Sequence, residues 1–178
     1  PGPGLAGGLR APFVLPGRSL NASSLPNVRS PTVLITGASA GIGSALASVY
    51  AMYGWDLVLT ARRHDALQDR ADYLRDIYQA TVTILPEDLA DPAAPRRLFD
   101  AIQAKGLTVD GLINNAGFSR TAGFLNTDPA AHRAMIQVML AAPVELARLF
   151  APGMVERGYG RILNVASLAG QMPATGGD

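Results

Sequence analysis

From residue 31 onward, short runs of apolar and β-branched residues alternate with stretches whose apolar positions recur every three to four residues. Thr32–Thr36 reads as a buried strand, followed by strands at 55–60, 81–85, 111–115 and 161–167. Between them the spacing predicts a helix over 42–54 with Ile42, Leu46, Val49 and Tyr50 on its inner face. A second helix over 65–79 is capped by Asp65 and buries Leu67, Leu74 and Ile77. A third, over 92–104, takes Asp91 as its N-cap and Pro92 at its first position. Asp128 and Pro129 open a long helix over 128–154, which Pro143 should kink because it has no amide hydrogen to donate. The connections are too long for hairpins, which dictates right-handed parallel crossovers with helices on both faces of one sheet. The expected class is α/β, a doubly wound parallel sheet of strand order 3-2-1-4-5.

Residues 1–30 break this pattern. They are rich in Pro, Gly and Ser, carry Arg10, Arg18 and Arg29 but no acid, and show neither period; they read as a disordered leader, with a targeting peptide as the alternative. Asn21-Ala22-Ser23 forms a glycosylation sequon on paper. The expected domain is 31–178. At 48% hydrophobic and 16% charged, the chain has the apolar content for a core. A net charge of +1 gives no electrostatic case for nucleic acid or an anionic membrane as partner. No cysteine is present, so a disulfide framework, a zinc–thiolate site and a cysteine nucleophile are ruled out, and a cytoplasmic location fits. No uninterrupted apolar stretch approaches the ~18 residues of a membrane span; residues 135–154 come nearest but contain Gln137, Pro143, Glu145 and Arg148.

The chemistry concentrates in the turn after the first strand, Thr36-Gly-Ala-Ser-Ala-Gly-Ile-Gly43. Gly37 permits a tight turn, Gly41 removes a side chain where backbone must approach a diphosphate, and Gly43 lets the helix pack closely. Ser39, Ala40 and Ile42 complete the turn, and the helix start offers unpaired amides and a positive dipole end to phosphate oxygens. The position between strand and helix makes this a dinucleotide cradle rather than an ordinary glycine-rich turn.

The spacing Gly-x-x-x-Gly-x-Gly closely resembles that of the short-chain dehydrogenase/reductase family, whose fold is of the Rossmann type. Three further motifs follow in the family's order: Asp88-Leu89 after the third strand, Asn114-Asn115-Ala116-Gly117 ending the fourth, and the fifth strand leading to Ser167. The resemblance covers about 32–170. It implies that Asp88 contacts adenine, that Asn115, Ala116 and Gly117 line the cofactor pocket, and that Ser167 is catalytic, positioning the oxygen of a small-molecule alcohol or carbonyl substrate. It also implies hydride transfer, and assembly into a homo-oligomer through the long helix near 128–154.

NAD enzymes place an acid at the end of the second strand, and NADP enzymes a basic residue. Here Arg62 and Arg63 stand before the first acid, Asp65, which favours NADP over NAD. Ala40 stands where many NADP-dependent members carry a further basic residue.

The family's acid/base is a tyrosine with a lysine four residues on, about a dozen residues after its serine; no such pair follows Ser167 within 168–178. Met139 stands where the family typically has a relay asparagine. The expectation is an NADP-dependent oxidoreductase cut before its tyrosine and, as given, a poor catalyst with an open sheet edge at Ile162, Leu163 and Val165. A non-catalytic dinucleotide-binding or redox-sensing module is the alternative, and a nucleotide-sugar epimerase or dehydratase is disfavoured by the glycine spacing. Among other residues, His64 and His132 read as surface positions, Tyr53 and Trp55 as packing beside the second strand, Asp110 as a turn cap, Glu87 as solvent-facing and 121–126 as bordering the substrate pocket.

Overall fold

A computed structural model describes residues 29–119 and 123–167. Residues 1–28 of the leader, with the sequon, residues 120–122 and the stretch after Ser167 lie outside the described residues; Arg29, read as leader, is instead held on Asp110. The order of elements is β1 (Thr32–Thr36), α1 (Gly41–Met52), β2 (Asp56–Thr60), α2 (His64–Tyr78), β3 (Val82–Ile84), α3 (Ala94–Ala104) and β4 (Gly111–Asn114). A 3-10 turn (Phe124–Asn126), α4 (Pro129–Ile136), a π turn (Gln137–Ala141), α5 (Ala142–Glu156) and β5 (Arg161–Asn164) follow. All pairings are parallel and the order is β3-β2-β1-β4-β5, as the alternation predicts.

Residues of β1, β2 and β4 alternate between two cores. Val33, Ile35, Leu57, Leu59 and Ile113 face α1 and α2. Leu34, Val58 and Leu112 face α3 and α5, where Leu98, Ile102, Leu146 and Phe150 meet them. In α1 the predicted face is met only in part: Leu46 and Tyr50 pack against the core, but the deepest positions are not the large ones. Gly43, Ala47 and Ala51 are buried, while Ile42 and Val49 are exposed; small residues four apart bring this helix close to the sheet. In α2, Leu67 and Leu74 are buried as expected with Ala71 between them, but Ile77 is exposed.

The predicted caps shift. Arg63 precedes α2 and no side chain caps it, so Asp65 lies in the first turn. Asp91 accepts from the Ala93 amide at 2.9 Å, closing a turn ahead of α3, which starts at Ala94 with Pro95 in its first turn. Asp128 does cap α4, accepting from the Ala130 amide at 2.8 Å. The long helix meets Pro143 through the π turn rather than a break. A missing amide hydrogen at Pro143 leaves the carbonyl four residues earlier, on Met139, without an α-type donor, and the wider turn absorbs the mismatch. Pro152 lies inside α5 as well. The run Pro129–Glu156 reaches 28 residues with a mean hydropathy of 1.5, so by length and composition it does match a membrane span, which corrects the sequence reading. Its Val138, Ala142, Leu146, Phe150 and Met154 are buried in the domain's own cores.

Trp55 packs edge-on to Tyr50 at 5.1 Å, whereas Tyr53 is exposed. Asp110 is more than a turn cap. Its carboxylate, nearly fully buried, accepts both Arg29 guanidinium nitrogens at 2.7 Å and the Thr32 amide at 2.9 Å.

Candidate functional site

β1 and β4 end side by side, and the site grows from their C-terminal ends. Thr36, buried at the end of β1, accepts at its hydroxyl from the Asn115 and Ala116 amides (2.9 and 3.0 Å) and donates to the Ile113 carbonyl at 3.2 Å. The Asn115 side-chain amide donates to the Thr36 and Gly37 carbonyls at 2.9 and 3.3 Å. The two strand ends are thereby locked into one rigid floor.

The three glycines of the turn meet different demands. Gly37 has φ +66°, and a β-carbon on it would lie 2.8 Å from the Ala116 Cα. One on Gly43 would lie 2.4 Å from the Asn115 amide nitrogen and 2.5 Å from the Gly37 carbonyl, so the close approach is between the helix start and the turn itself. Gly41 has φ +57° with nothing within 4 Å, so it presents bare backbone to open space. No side chain caps the N-terminus of α1, and its first turn carries no acid, so its leading amides and positive dipole end face the same space.

Above this floor lies a cleft of about 470 Å³. The predicted residues Gly37, Ser39, Ala40, Gly41, Ile42, Arg62, Arg63, Asp88, Leu89, Asn115, Ala116 and Gly117 all line it, and Gly43 lies beneath. At one rim Arg63 donates to the Ser39 hydroxyl at 3.4 Å. At another, the Asp88 carboxylate accepts from the Ala90 amide at 3.0 Å and so fixes the turn that carries it. Glu87 does not simply face solvent: Arg97 bridges it at 2.8 Å and Asp91 at 2.7 Å. The hydrogen bond from the Ala93 amide, reinforced by Arg97, holds the Asp91 carboxyl below its usual range.

Sequence reasoning missed Thr36, Thr60, Phe118 and Val138. Thr60, Phe118 and Val138 also line the cleft. Phe118 directly follows the Asn-Asn-Ala-Gly run and was within reach of the motif; Val138 arrives from the π turn and gave no local signal.

A second cleft of about 640 Å³ adjoins the first, sharing Ile42, Asn115, Ala116, Gly117 and Phe118 with it. Ser167 stands on its wall, and Met139 lines it too. At its base the Asn114 side-chain amide donates to Asn164 Oδ1 at 2.8 Å, joining β4 to β5. Of the border predicted for 121–126, the described part places Phe124 in a face-to-face stack on His132 with ring centres 4.7 Å apart.

The arrangement offers bare backbone, an uncapped helix start and two arginines to an anionic ligand. The family model for short chain dehydrogenases matches residues 31–178. The chain is 34% identical over 153 residues to the NADP-dependent 3-hydroxy acid dehydrogenase YdfG of Escherichia coli, covering 82% of this chain and 58% of that protein. It is 35% identical over 140 residues to the ketoacyl reductase HetN of Nostoc, covering 79% and 48%. Among solved structures, a short-chain dehydrogenase from Sphingobium yanoikuyae in complex with NADPH superimposes with a TM-score of 0.75 at 38% identity, covering 80% of this chain and 56% of that one. The chain thus spans roughly half to three-fifths of the length of these relatives. On its motifs, its sheet order and the family match, the chain belongs to the short chain dehydrogenases.

Proposed function

We propose that the chain is the cofactor-binding part of an NADP-dependent oxidoreductase that interconverts an alcohol with a ketone or aldehyde. The observation that carries this is the cleft itself: a floor of bare, positive-φ glycine backbone at a helix N-terminus, with two arginines on its rim. Its volume and donor set fit a dinucleotide. Gly37, Ser39, Ala40, Gly41 and Ile42 cradle the diphosphate, with Gly43 permitting their approach. Arg62 and Arg63 take the 2′-phosphate, Asp88 and Leu89 the adenine, and Asn115, Ala116 and Gly117 the path toward the nicotinamide. The NADP in the name of the E. coli relative and the NADPH in the Sphingobium structure support the choice of cofactor. When bound, the reduced nicotinamide supplies a hydride to a carbonyl carbon. Ser167 orients the carbonyl oxygen. Because residues 168–178 hold no Tyr-x-x-x-Lys, these 178 residues alone should bind cofactor but turn over poorly.

The test is titration of the full-length natural protein with NADPH and NADH. NADPH should bind more tightly, and Arg62→Asp should weaken it about 10- to 100-fold, as expected for loss of a charge-assisted phosphate contact, with NADH little changed. Unchanged NADPH affinity in that variant refutes the assignment.

Met139, in place of the family's usual asparagine, favours one second reading: a dinucleotide-binding or redox-sensing module without turnover. NADPH bound but never oxidised across a broad panel of ketones and aldehydes supports it. A cytoplasmic location and homo-oligomer formation through the helical run near 128–154 belong to the same proposal; the exposed Ile136, on neither cleft wall, supports the latter.

A further inference from the structure

The two clefts meet at Gly117 and Phe118, so a molecule in the second reaches the reactive end of the first. One wall of the second cleft carries Phe118, Met139, Leu140, Val144 and Val165, with the neutral polar Asn114, Asn115, Ser119, Asn164 and Ser167 elsewhere in its lining, and among the described residues lining it no side chain carries a formal charge. Met139 sits at the middle of the π turn Gln137–Ala141. Its Cε lies 3.7 Å from the point where a side chain on Gly117 would begin, so the absence of that side chain leaves the thioether facing the junction of the clefts. A thioether is polarisable and packs well against apolar and aromatic groups. A carboxylate brought against the same wall sheds hydration and meets no cation among the described residues in return.

Resting on the oxidoreductase reading above, we propose that Met139 is a specificity-determining residue. With Phe118 and Leu140 it fits the second cleft to an uncharged ketone or secondary alcohol with an apolar or aromatic arm, and against a carboxylate-bearing one. The reaction is a two-electron reduction. Hydride from NADPH forms a C–H bond at the carbonyl carbon while the C=O π bond breaks, a proton adds to the oxygen, and the products are a secondary alcohol and NADP⁺. The 3-hydroxy acid in the name of the E. coli relative marks the opposite preference.

Propiophenone and benzoylacetate are close in shape and differ in a terminal methyl against a carboxylate. In the full-length natural protein, propiophenone should exceed benzoylacetate about tenfold or more in kcat/KM with NADPH. It should do the same in calorimetric affinity for the NADP⁺-loaded protein, where no turnover occurs. Met139→Lys should shift both ratios at least about tenfold toward benzoylacetate, and Met139→Leu should keep the original preference. Leu140→Lys provides a second lysine variant at a position already 63% exposed, should the first fail to fold. Equal affinities, a preference for benzoylacetate, or ratios that neither lysine moves would overturn the substrate assignment while leaving cofactor binding intact. Failure to bind NADPH at all would instead sink the oxidoreductase reading, and this one with it.

Discussion

Asp110 ties three strands together at one end of the sheet. Its carboxylate takes Arg29 and the Thr32 amide, its own amide donates to the Thr32 carbonyl, and its carbonyl accepts from the Arg161 amide. Burial alone raises its pKa, but the hydrogen bonds from Arg29 and Thr32, with the charges of Arg29 and Arg157, outweigh that and hold the carboxyl below its usual range. A depressed folded-state pKa contributes stability that is fully present above the ordinary carboxylate value of about 3.9 and is lost as pH falls through the folded value. Asp110→Ala should therefore lower stability by about 2 kcal/mol at pH 7 in urea unfolding, since it strands a buried amide. Asp110→Asn should flatten the decline of stability below about pH 4. The glycines separate two kinds of failure. Gly43→Ala drives a methyl group into backbone and Asn115, and should cost about 1–3 kcal/mol by thermal or urea unfolding. Gly41→Ala meets no atom, so its stability loss should be confined to backbone strain of about 1 kcal/mol, while on the proposed assignment the new methyl group enters the open space reserved for the diphosphate and NADPH affinity should fall at least tenfold. None of the Asp110 network was legible in the sequence, because a lone acid before a strand looks the same whether it caps a turn or anchors an arginine from 81 residues away.

Among the elements, strands were the most legible. β1 appears at its predicted bounds and the others within a few residues, because a parallel sheet buried on both faces leaves continuous apolar runs. The helical faces were less so. In α1 Leu46 and Tyr50 do pack on the core, but Ile42 and Val49 are exposed and close packing selects Gly43, Ala47 and Ala51. Ala47→Leu should thus lower stability by about 2 kcal/mol through overpacking, whereas Val49→Ala should change it by less than about 0.5 kcal/mol; paired chemical denaturation curves distinguish the two. The π turn was also hidden, although Pro143 was read as a disturbance. Proline signals that the α-helical ladder must fail, but tertiary contacts decide whether the chain bends or widens, and those are not local.

At the scale of the molecule, the sheet order and the gathering of the cofactor motifs at one end of it followed from the alternation of elements and the glycine turn, whereas the second cleft did not, since it needs β4, β5 and the π turn together. Among the described residues β5 is one of the two edge strands, opposite β3, with Ile162 and Leu163 more than two-fifths exposed. Produced alone, residues 1–178 should self-associate in light scattering, and Leu163→Lys should reduce this by placing a charge on the edge. The Arg29–Asp110 anchor and the glycine turn stand at opposite ends of β1, about 16 Å apart along five residues. A fluorophore or affinity handle joined ahead of Arg29 is therefore attached at the far end of the strand from the cleft proposed for the coenzyme, which makes that end the place to tether the protein to a surface for binding measurements.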